Sequence, residues 1–290
     1  MPYQASRGSP NEAQPAKNGA FPNLFSLFLS FHKWNGISEI EFIGLKNFIY
    51  LFTRDDFFWK SLLNTFFLLF IGSMPQHLIA LPLAAILNSK VLKGREIFRT
   101  GYFLPYITSS VSVAFLFGYF FDRHFGLFNY FLELFGLPRI MWFSDPATVK
   151  PAIAILVNWK WIGWNTVLYL AGLQAIPEEI IESAKIEGAN QKQIFFSILL
   201  PLLLPVIFMA VSLSIIFGLQ LFDEPLILTG GYRGNPGGVD NAGLTSLLYL
   251  YTVGFRWGKF GLGCSISWVL FIIIITATMI FREIIQRLQH

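Results

Sequence analysis

The sequence holds no set of side chains arranged for catalysis. A phosphate-binding loop needs Gly-x-x-x-x-Gly-Lys-Ser/Thr, and the nearest run, Gly254 to Lys259, has one residue too few between its glycines and lacks the hydroxyl. His77 has no second histidine or carboxylate at metal-ligand spacing. We therefore predict no catalytic residues, no metal and no cofactor, and we do not expect this chain to hydrolyse ATP.

Polar side chains nevertheless interrupt long apolar stretches. Polar groups in lipid are costly and usually face the interior of a bundle or a water-filled path. The strongest case is Lys160, which we expect to reach the headgroups with Trp159 and Trp161 as interfacial anchors, rather than to bind solute. No path-lining residues can be assigned among the remaining candidates: Asn64, Gln76, His77, Asn158, Asn165, Gln220 and Asp223.

The segment Ile176–Pro201 predicts two helices around a break. Pro177 suits the first turn of a helix, and three glutamates follow it where the helix dipole favours anions. Gly188 fits the left-handed position after a helix end. Asn190 then resembles an N-cap, with Gln193 as its capping-box partner.

This first helix is too short and too charged to cross a bilayer, so we expect it at the membrane surface. The small residues Ala184 and Gly188 are expected to allow close approach of a partner. An ordinary helical hairpin between two spans would explain the same pattern.

The composition is typical of a membrane protein. Apolar residues make up 54% of the 290 residues and charged residues only 13%, against a usual quarter or so. The net charge of +4 is scattered and forms no dense basic patch, which argues against nucleic-acid binding. The single cysteine, Cys264, excludes an intramolecular disulfide.

The architecture that must position these residues is predicted to be an all-α, polytopic transmembrane helix bundle. A bilayer core needs about 20 apolar residues in a helix. The first apolar stretch, Phe21–Phe31, is about half that length, so we predict a truncated first span there. Either that span is shortened or its true start lies upstream. Five full spans are predicted: Leu62–Leu87, Gly101–Phe121, Ala152–Leu173, Leu202–Phe222 and Leu262–Phe281.

The predicted organisation has four parts. Residues 1–20 form a disordered polar tail, 21–60 the truncated span with an extracytoplasmic loop, 61–282 the transmembrane domain, and 283–290 a C-terminal end. Basic residues are denser in the loops that include 88–99 and 175–200, so we place residues 175–200 and the C-terminus in the cytoplasm. Leu127–Phe135 predicts an amphipathic helix lying in the membrane interface.

The segment Ile176–Pro201 resembles the Glu-Ala-Ala loop of ABC-importer permeases. In that loop, three residues separate the triplet from a Gly, and Ile-x-Leu-Pro follows about nine residues later. The matching positions are Glu182, Ala184, Gly188, Ile198, Leu200 and Pro201, while Ser183 and Glu187 are mild departures. The rest of the chain resembles the maltose-type carbohydrate permeases at several places: Phe42–Phe48, Asn64-Thr65, Gly126, Asn129, Trp159, Leu170–Pro177 and Leu228–Gly231.

That resemblance implies a type I ABC importer permease in the inner cell membrane, carrying a sugar or a related solute. It implies a second permease, two ATP-binding subunits and an extracytoplasmic solute-binding protein as partners, besides the bilayer. The implied ATPase-coupling residues are Glu182, Ser183, Ala184, Glu187, Gly188, Ala189 and Pro201.

Two alternatives remain at this point. An ATP-independent secondary transporter or channel would also be apolar, but such proteins often carry inverted repeats, and none is evident in this sequence. The other alternative is a membrane scaffold that transports no solute.

Overall fold

A computed structural model describes residues 15–88, 95–231 and 234–288. Most of these residues are helical, and an antiparallel pair of two-residue strands, β1 (His32–Lys33) and β2 (Glu41–Phe42), is the exception to the all-α prediction. The α-helices in chain order are α1 Pro15–Ser30, α2 Lys46–Thr53, α3 Asp56–Leu68, α4 Pro75–Asn88, α5 Arg95–Ile107, α6 Ser110–Phe120, α7 Leu127–Leu134, α8 Pro146–Gln174, α9 Glu178–Ile186, α10 Gln191–Gln193, α11 Leu200–Leu219, α12 Asp223–Leu228, α13 Ser246–Tyr251 and α14 Phe260–Leu288.

Three π-helical segments and one 3₁₀ turn complete the helical structure: Leu69–Ser73, Ile194–Leu199, Thr252–Arg256 and Val239–Asn241. The segment Leu69–Ser73 joins α3 to α4, so these elements form one continuous helix. A π-helical segment inserts an extra residue into an α-helix, which turns the side chains that follow onto a different face. Such segments often occur at functional sites. Ser73 is the side chain that the segment Leu69–Ser73 directs towards the cavity described below.

The number of spans agrees only partly with the prediction. Three described helices are both long and apolar enough to cross a membrane, namely Asp56–Asn88, Gln191–Leu228 and Phe260–Arg287. They contain three of the five predicted spans. The short apolar helix Phe21–Ser30 covers the predicted truncated span.

Two predicted spans have a different form. Gly101–Phe121 is not one straight helix, because α5 and α6 meet at an angle of 97° around Thr108 and Ser109. Helix α8 is 29 residues long, which is about 43 Å at 1.5 Å per residue. It is long enough to cross a membrane, but it is less apolar than the three helices named above. Three of its polar residues, Lys160, Asn165 and Thr166, are buried inside the protein, as expected for a central helix of a bundle.

The predicted tail and loops are described only in part. Helix α1 begins at Pro15, inside the segment expected to be a disordered tail, and residues 1–14 lie outside the described residues. The same holds for residues 89–94 of the most basic loop and for residues 232–233 of the Gly-rich loop. The amphipathic helix expected at Leu127–Phe135 is confirmed as α7.

The described chain divides into two compact units. The smaller one comprises residues up to Asp55 together with Leu250–Val269. Within it, the Asn47 amide donates to the carbonyl oxygens of Ser30 and His32, both at 3.0 Å, which fixes the turn after α1. The Ser265 hydroxyl also donates to the Ser30 carbonyl, at 2.9 Å.

Among the described residues, the larger unit comprises those between Asp56 and Tyr249 and those from Leu270 onwards, and α8 lies at its centre. Helix α8 packs mainly against α4 and α5, and its other neighbours include α3, α11, α12 and the π-helical segment Leu69–Ser73. The contact with α5 is close: a Cβ at Gly163 would lie 1.6 Å from the Tyr102 carbonyl oxygen. Only a residue without a side chain permits this approach.

Candidate functional site

The first candidate site is the surface helix α9 and the turn that follows it. Pro177 is the N-cap residue, and the glutamates at 178 and 179 lie in the first turn. The helix ends in a Schellman motif, in which Ala189 N–H donates to Ala184 O at 2.9 Å and Gly188 N–H donates to Lys185 O at 3.1 Å. Gly188 has φ +87°, the left-handed conformation predicted from the sequence.

The next helix begins with the predicted capping box. The Gln193 N–H donates to the Asn190 side chain at 3.0 Å, and the Asn190 N–H donates to the Gln193 side chain at 2.8 Å. The break between α9 and α10 is therefore held by hydrogen bonds at both helix ends, which gives this loop a defined shape.

The structure divides the predicted coupling residues into two groups. Glu182, Ser183, Glu187, Gly188 and Pro201 are exposed, and nothing lies within 4 Å of a Cβ placed on Gly188. The other two are Ala184, only 7% exposed, and the half-buried Ala189.

The side chain of Ala184 is covered by the chain itself, and its expected contact with a partner stays a prediction. Ile186 is the residue that the sequence analysis missed. It is 88% exposed at the C-terminal end of α9, a helix that is too short and too charged to cross the lipid. The signal in the sequence was an isoleucine between two charged residues.

The second candidate site is a cavity of about 190 Å³ inside the larger unit. Helix α11 contributes Ser214, Phe217 and Gly218, whose spacing places them on one face of the helix, and Leu221 lines the cavity just after the helix ends. Most of the other lining residues are polar or aromatic: Ser73, Gln76, Ser110, Lys160, Trp161, Gln220, Phe222, Asp223 and Glu224.

A buried ion pair lies at this cavity. The Lys160 ammonium is 3.1 Å from the Glu224 carboxylate and also donates to the Ser110 hydroxyl. Lys160 is 6% exposed and Glu224 5%. The expectation that Lys160 reaches the headgroups is therefore wrong, because a carboxylate from another helix pairs with it inside the protein.

The bend between α5 and α6 is what permits this pairing. Ser110 is the first residue of α6, so the 97° bend brings a helix terminus to the middle of α8, where Lys160 lies. Glu224 lies in the first turn of α12, where the helix dipole favours a carboxylate. The sequence analysis named Asp223 but missed Glu224, which follows it directly after an apolar span.

The remaining cavity wall combines aromatic rings with amide and hydroxyl groups. Trp161 and Phe217 stack with a centroid distance of 5.3 Å and an interplanar angle of 27°. Gln76 donates to the Ser214 hydroxyl at 3.2 Å, while its Oε1 atom is buried without a partner among the described residues. Such a surface can hold the apolar face of a ring and hydrogen-bond its hydroxyl groups.

Other predicted polar residues have structural partners. The Asn64 amide donates to the carbonyl oxygens of Asn241 and Leu244, at 3.0 and 3.1 Å. His77 lies 2.7 Å from the Tyr169 hydroxyl, in agreement with a packing role. No group of three or more possible metal ligands occurs in the part of the chain that the structure describes.

Comparison with known proteins identifies the family. The profile described as "Binding-protein-dependent transport system inner membrane component" matches residues 57–290. The trehalose/maltose transport system permease protein MalF of Thermococcus litoralis is 33% identical over 91% of this chain and 86% of its own length. The lactose transport system permease protein LacF of Rhizobium radiobacter is 36% identical, with the same shares covered.

The fold of a chain from a solved transporter structure agrees with this family assignment. A chain of a bacterial alginate ABC transporter, crystallised with an alginate pentasaccharide-bound periplasmic protein, superposes with a TM-score of 0.78. The match covers 95% of this chain and 90% of the other at 22% identity. This chain therefore belongs to the inner membrane components of binding-protein-dependent transport systems, and it is a permease subunit of an ABC importer.

Proposed function

We propose that α9 and the turn after it form the contact through which a separate ATPase subunit drives this permease. The observation that carries the proposal is Ile186, an apolar side chain 88% exposed at the end of a short, capped helix. Exposed apolar residues rimmed by charge are typical of protein–protein contacts. Glu182, Ser183 and Glu187 are the exposed polar residues near it, and the hydrogen bond from Ala189 N–H to Ala184 O holds the turn at Gly188. Pro201, at the start of α11, completes the proposed set.

The rest of the assembly follows from this contact. Two ATP-binding subunits would bind two such loops, one from this chain and one from a second permease. An extracytoplasmic solute-binding protein would deliver the solute, as the family description implies. Residues 175–200 and the C-terminal end, 283–290, then face the cytoplasm, and residues 61–282 form the transmembrane domain that follows the truncated first span and extracytoplasmic loop at 21–60.

The solute is proposed to be a sugar. The stacked rings of Trp161 and Phe217 beside amide and hydroxyl groups provide the mixed surface that a carbohydrate needs. Carbohydrates appear in the names of several relatives, including an arabinooligosaccharide permease of Bacillus subtilis that is 35% identical over 83% of this chain.

Two substitutions test the coupling contact. Ile186→Asp replaces the exposed apolar side chain by a charge, and Gly188→Leu adds a bulky group at a left-handed position, at a cost of roughly 1–2 kcal/mol in the turn. Membrane insertion should survive, because the spans are untouched. ATPase activity stimulated by the loaded binding protein and solute uptake should fall together, by at least tenfold, in proteoliposomes containing the whole complex.

The matched control is Gln191→Leu, which places the same bulky side chain at an exposed position of the same loop outside the contact. It should retain most of both activities. Normal ATPase stimulation and uptake in both test variants would refute the coupling role of α9. Uptake that continues in the absence of ATP would instead favour a secondary transporter or channel.

A further inference from the structure

We propose that the Lys160–Glu224 ion pair is a specificity-determining element that admits uncharged, polyhydroxylated solutes to the cavity and excludes anionic ones such as uronates. The inference rests on the proposed function, because it assumes that the cavity takes the transported solute. Sugars that carry a carboxylate are common, so the charge of the solute is a separate question from its being a sugar.

The charges around the cavity favour neutral solutes. Its titratable lining residues, among those described, are Lys160, Asp223 and Glu224. One positive and two negative formal charges leave one excess negative charge. Asp223, which is outside the pair, is half-buried, so its charge is only partly screened by solvent and repels an anion.

The ion pair itself adds a second barrier. An anionic solute at the Lys160 ammonium would either place its own carboxylate beside that of Glu224, which repels it, or displace the Glu224 carboxylate, which is 5% exposed. That carboxylate would then remain buried without its counter-ion, which is strongly unfavourable. A neutral hydroxyl group carries no such penalty, because it can bind without separating the pair.

The pair also retains hydrogen-bonding capacity for a neutral ligand. An ammonium has three N–H donors, and among the described residues Lys160 uses two, to Ser110 and to Glu224. Glu224 accepts through Oε1, and its Oε2 atom makes no hydrogen bond to any described residue. One charged donor and one charged acceptor, side by side on the cavity wall, match the adjacent hydroxyl groups of a sugar ring.

A purely structural role is the competing explanation. The pair joins α8 to α12, and through Ser110 to the bend before α6, so it could serve only to hold these helices together. A purely structural role predicts that breaking the ion pair lowers the stability of the protein without changing its preference among solutes. The ratio of affinities for neutral and acidic ligands therefore separates the two explanations.

The experiment uses the full permease complex in nanodiscs without the binding protein. The probes are glucose di- and trisaccharides and the same compounds with the terminal C6 hydroxymethyl group oxidised to a carboxylate. Binding is followed by tryptophan fluorescence, since Trp161 lines the cavity. The wild type should bind the neutral series at least tenfold more tightly, which corresponds to about 1.4 kcal/mol.

Three variants change the charge in different ways. Glu224→Gln frees the ammonium and should shift the affinity ratio at least tenfold towards the acidic series. Asp223→Asn removes the excess charge without touching the pair, so it should shift the ratio several-fold even if Glu224→Gln folds poorly. The exchange Lys160→Glu with Glu224→Lys keeps both the pair and the net charge and should keep the preference for neutral solutes.

Glu133→Gln is the control, because it makes the same chemical change at an exposed helix outside this cavity and should leave the ratio unchanged. An unchanged ratio in both Glu224→Gln and Asp223→Asn, or tighter wild-type binding of the acidic series, would overturn the proposal while leaving sugar transport intact. Failure of the wild type to bind any member of either series would instead refute the proposed solute class.

Discussion

Gly163 is the position where a single methyl group should disturb the larger unit most. A Cβ added there would lie 1.6 Å from the Tyr102 carbonyl oxygen and 2.6 Å from its carbon, both backbone atoms of α5. An ordinary contact needs about 3.4 Å, so α5 and α8 would have to separate by roughly 1.8 Å along this direction. Neither helix backbone can yield locally, so the packing of both must change.

The cost follows from the size of that shift. Overpacking a well-filled core costs about 1–3 kcal/mol, and a backbone clash belongs at the upper end. For a chain of this size, about 3 kcal/mol corresponds to a fall of roughly 6–12 °C in the unfolding temperature. The stacking of Tyr106 on Trp164, now at a centroid distance of 4.4 Å, should loosen as well.

The assay is thermal unfolding in detergent, followed by intrinsic tryptophan fluorescence. The control is Gly118→Ala in α6, where nothing lies within 4 Å of an added Cβ. Alanine is favoured over glycine inside a helix by about 1 kcal/mol, so this variant should be unchanged or slightly more stable. If Gly163→Ala unfolded at the wild-type temperature, the close approach of α5 to α8 would be refuted.

Three further outcomes are expected. Asn64→Ala should lower the free energy of unfolding by about 2 kcal/mol, because two buried carbonyl groups lose their donor, and chemical denaturation measures this. In a Cys264→Ser background, a cysteine at position 191 in place of Gln191 should react with an impermeant thiol reagent only in inside-out vesicles; labelling in intact cells would reverse the proposed topology. The Arg139 guanidinium lowers the pKa of the Glu133 carboxyl below 4.5, first through their hydrogen bond, so Arg139→Gln should raise that pKa in an NMR titration. Any stability this pair contributes is present above the ordinary pKa and is lost as the pH falls through the lowered one.

Features that depend on neighbouring residues were predictable from the sequence. Gly188 was predicted to be left-handed and Asn190 to begin a capping box, and both are confirmed. Caps and turns are determined by a few consecutive residues, whose hydrogen bonds close within one helical turn. That the chain is a membrane protein was equally predictable, because apolar content and the length of apolar stretches can be determined from the sequence itself.

The charged residues of the cavity were not predictable in the same way. Lys160 and Glu224 are 64 residues apart, and the third member, Ser110, reaches them only because the predicted straight span is bent by 97°. The exposure of Ile186 and the burial of Ala184 were not predictable for a related reason: the exposure of a residue on a short helix depends on what the rest of the protein covers. The sequence determined that a lysine in an apolar helix needs a partner, since an unpaired charge there is too costly. Only the tertiary structure decided that this partner is a buried carboxylate rather than the lipid headgroups, because packing alone determines which distant side chains meet.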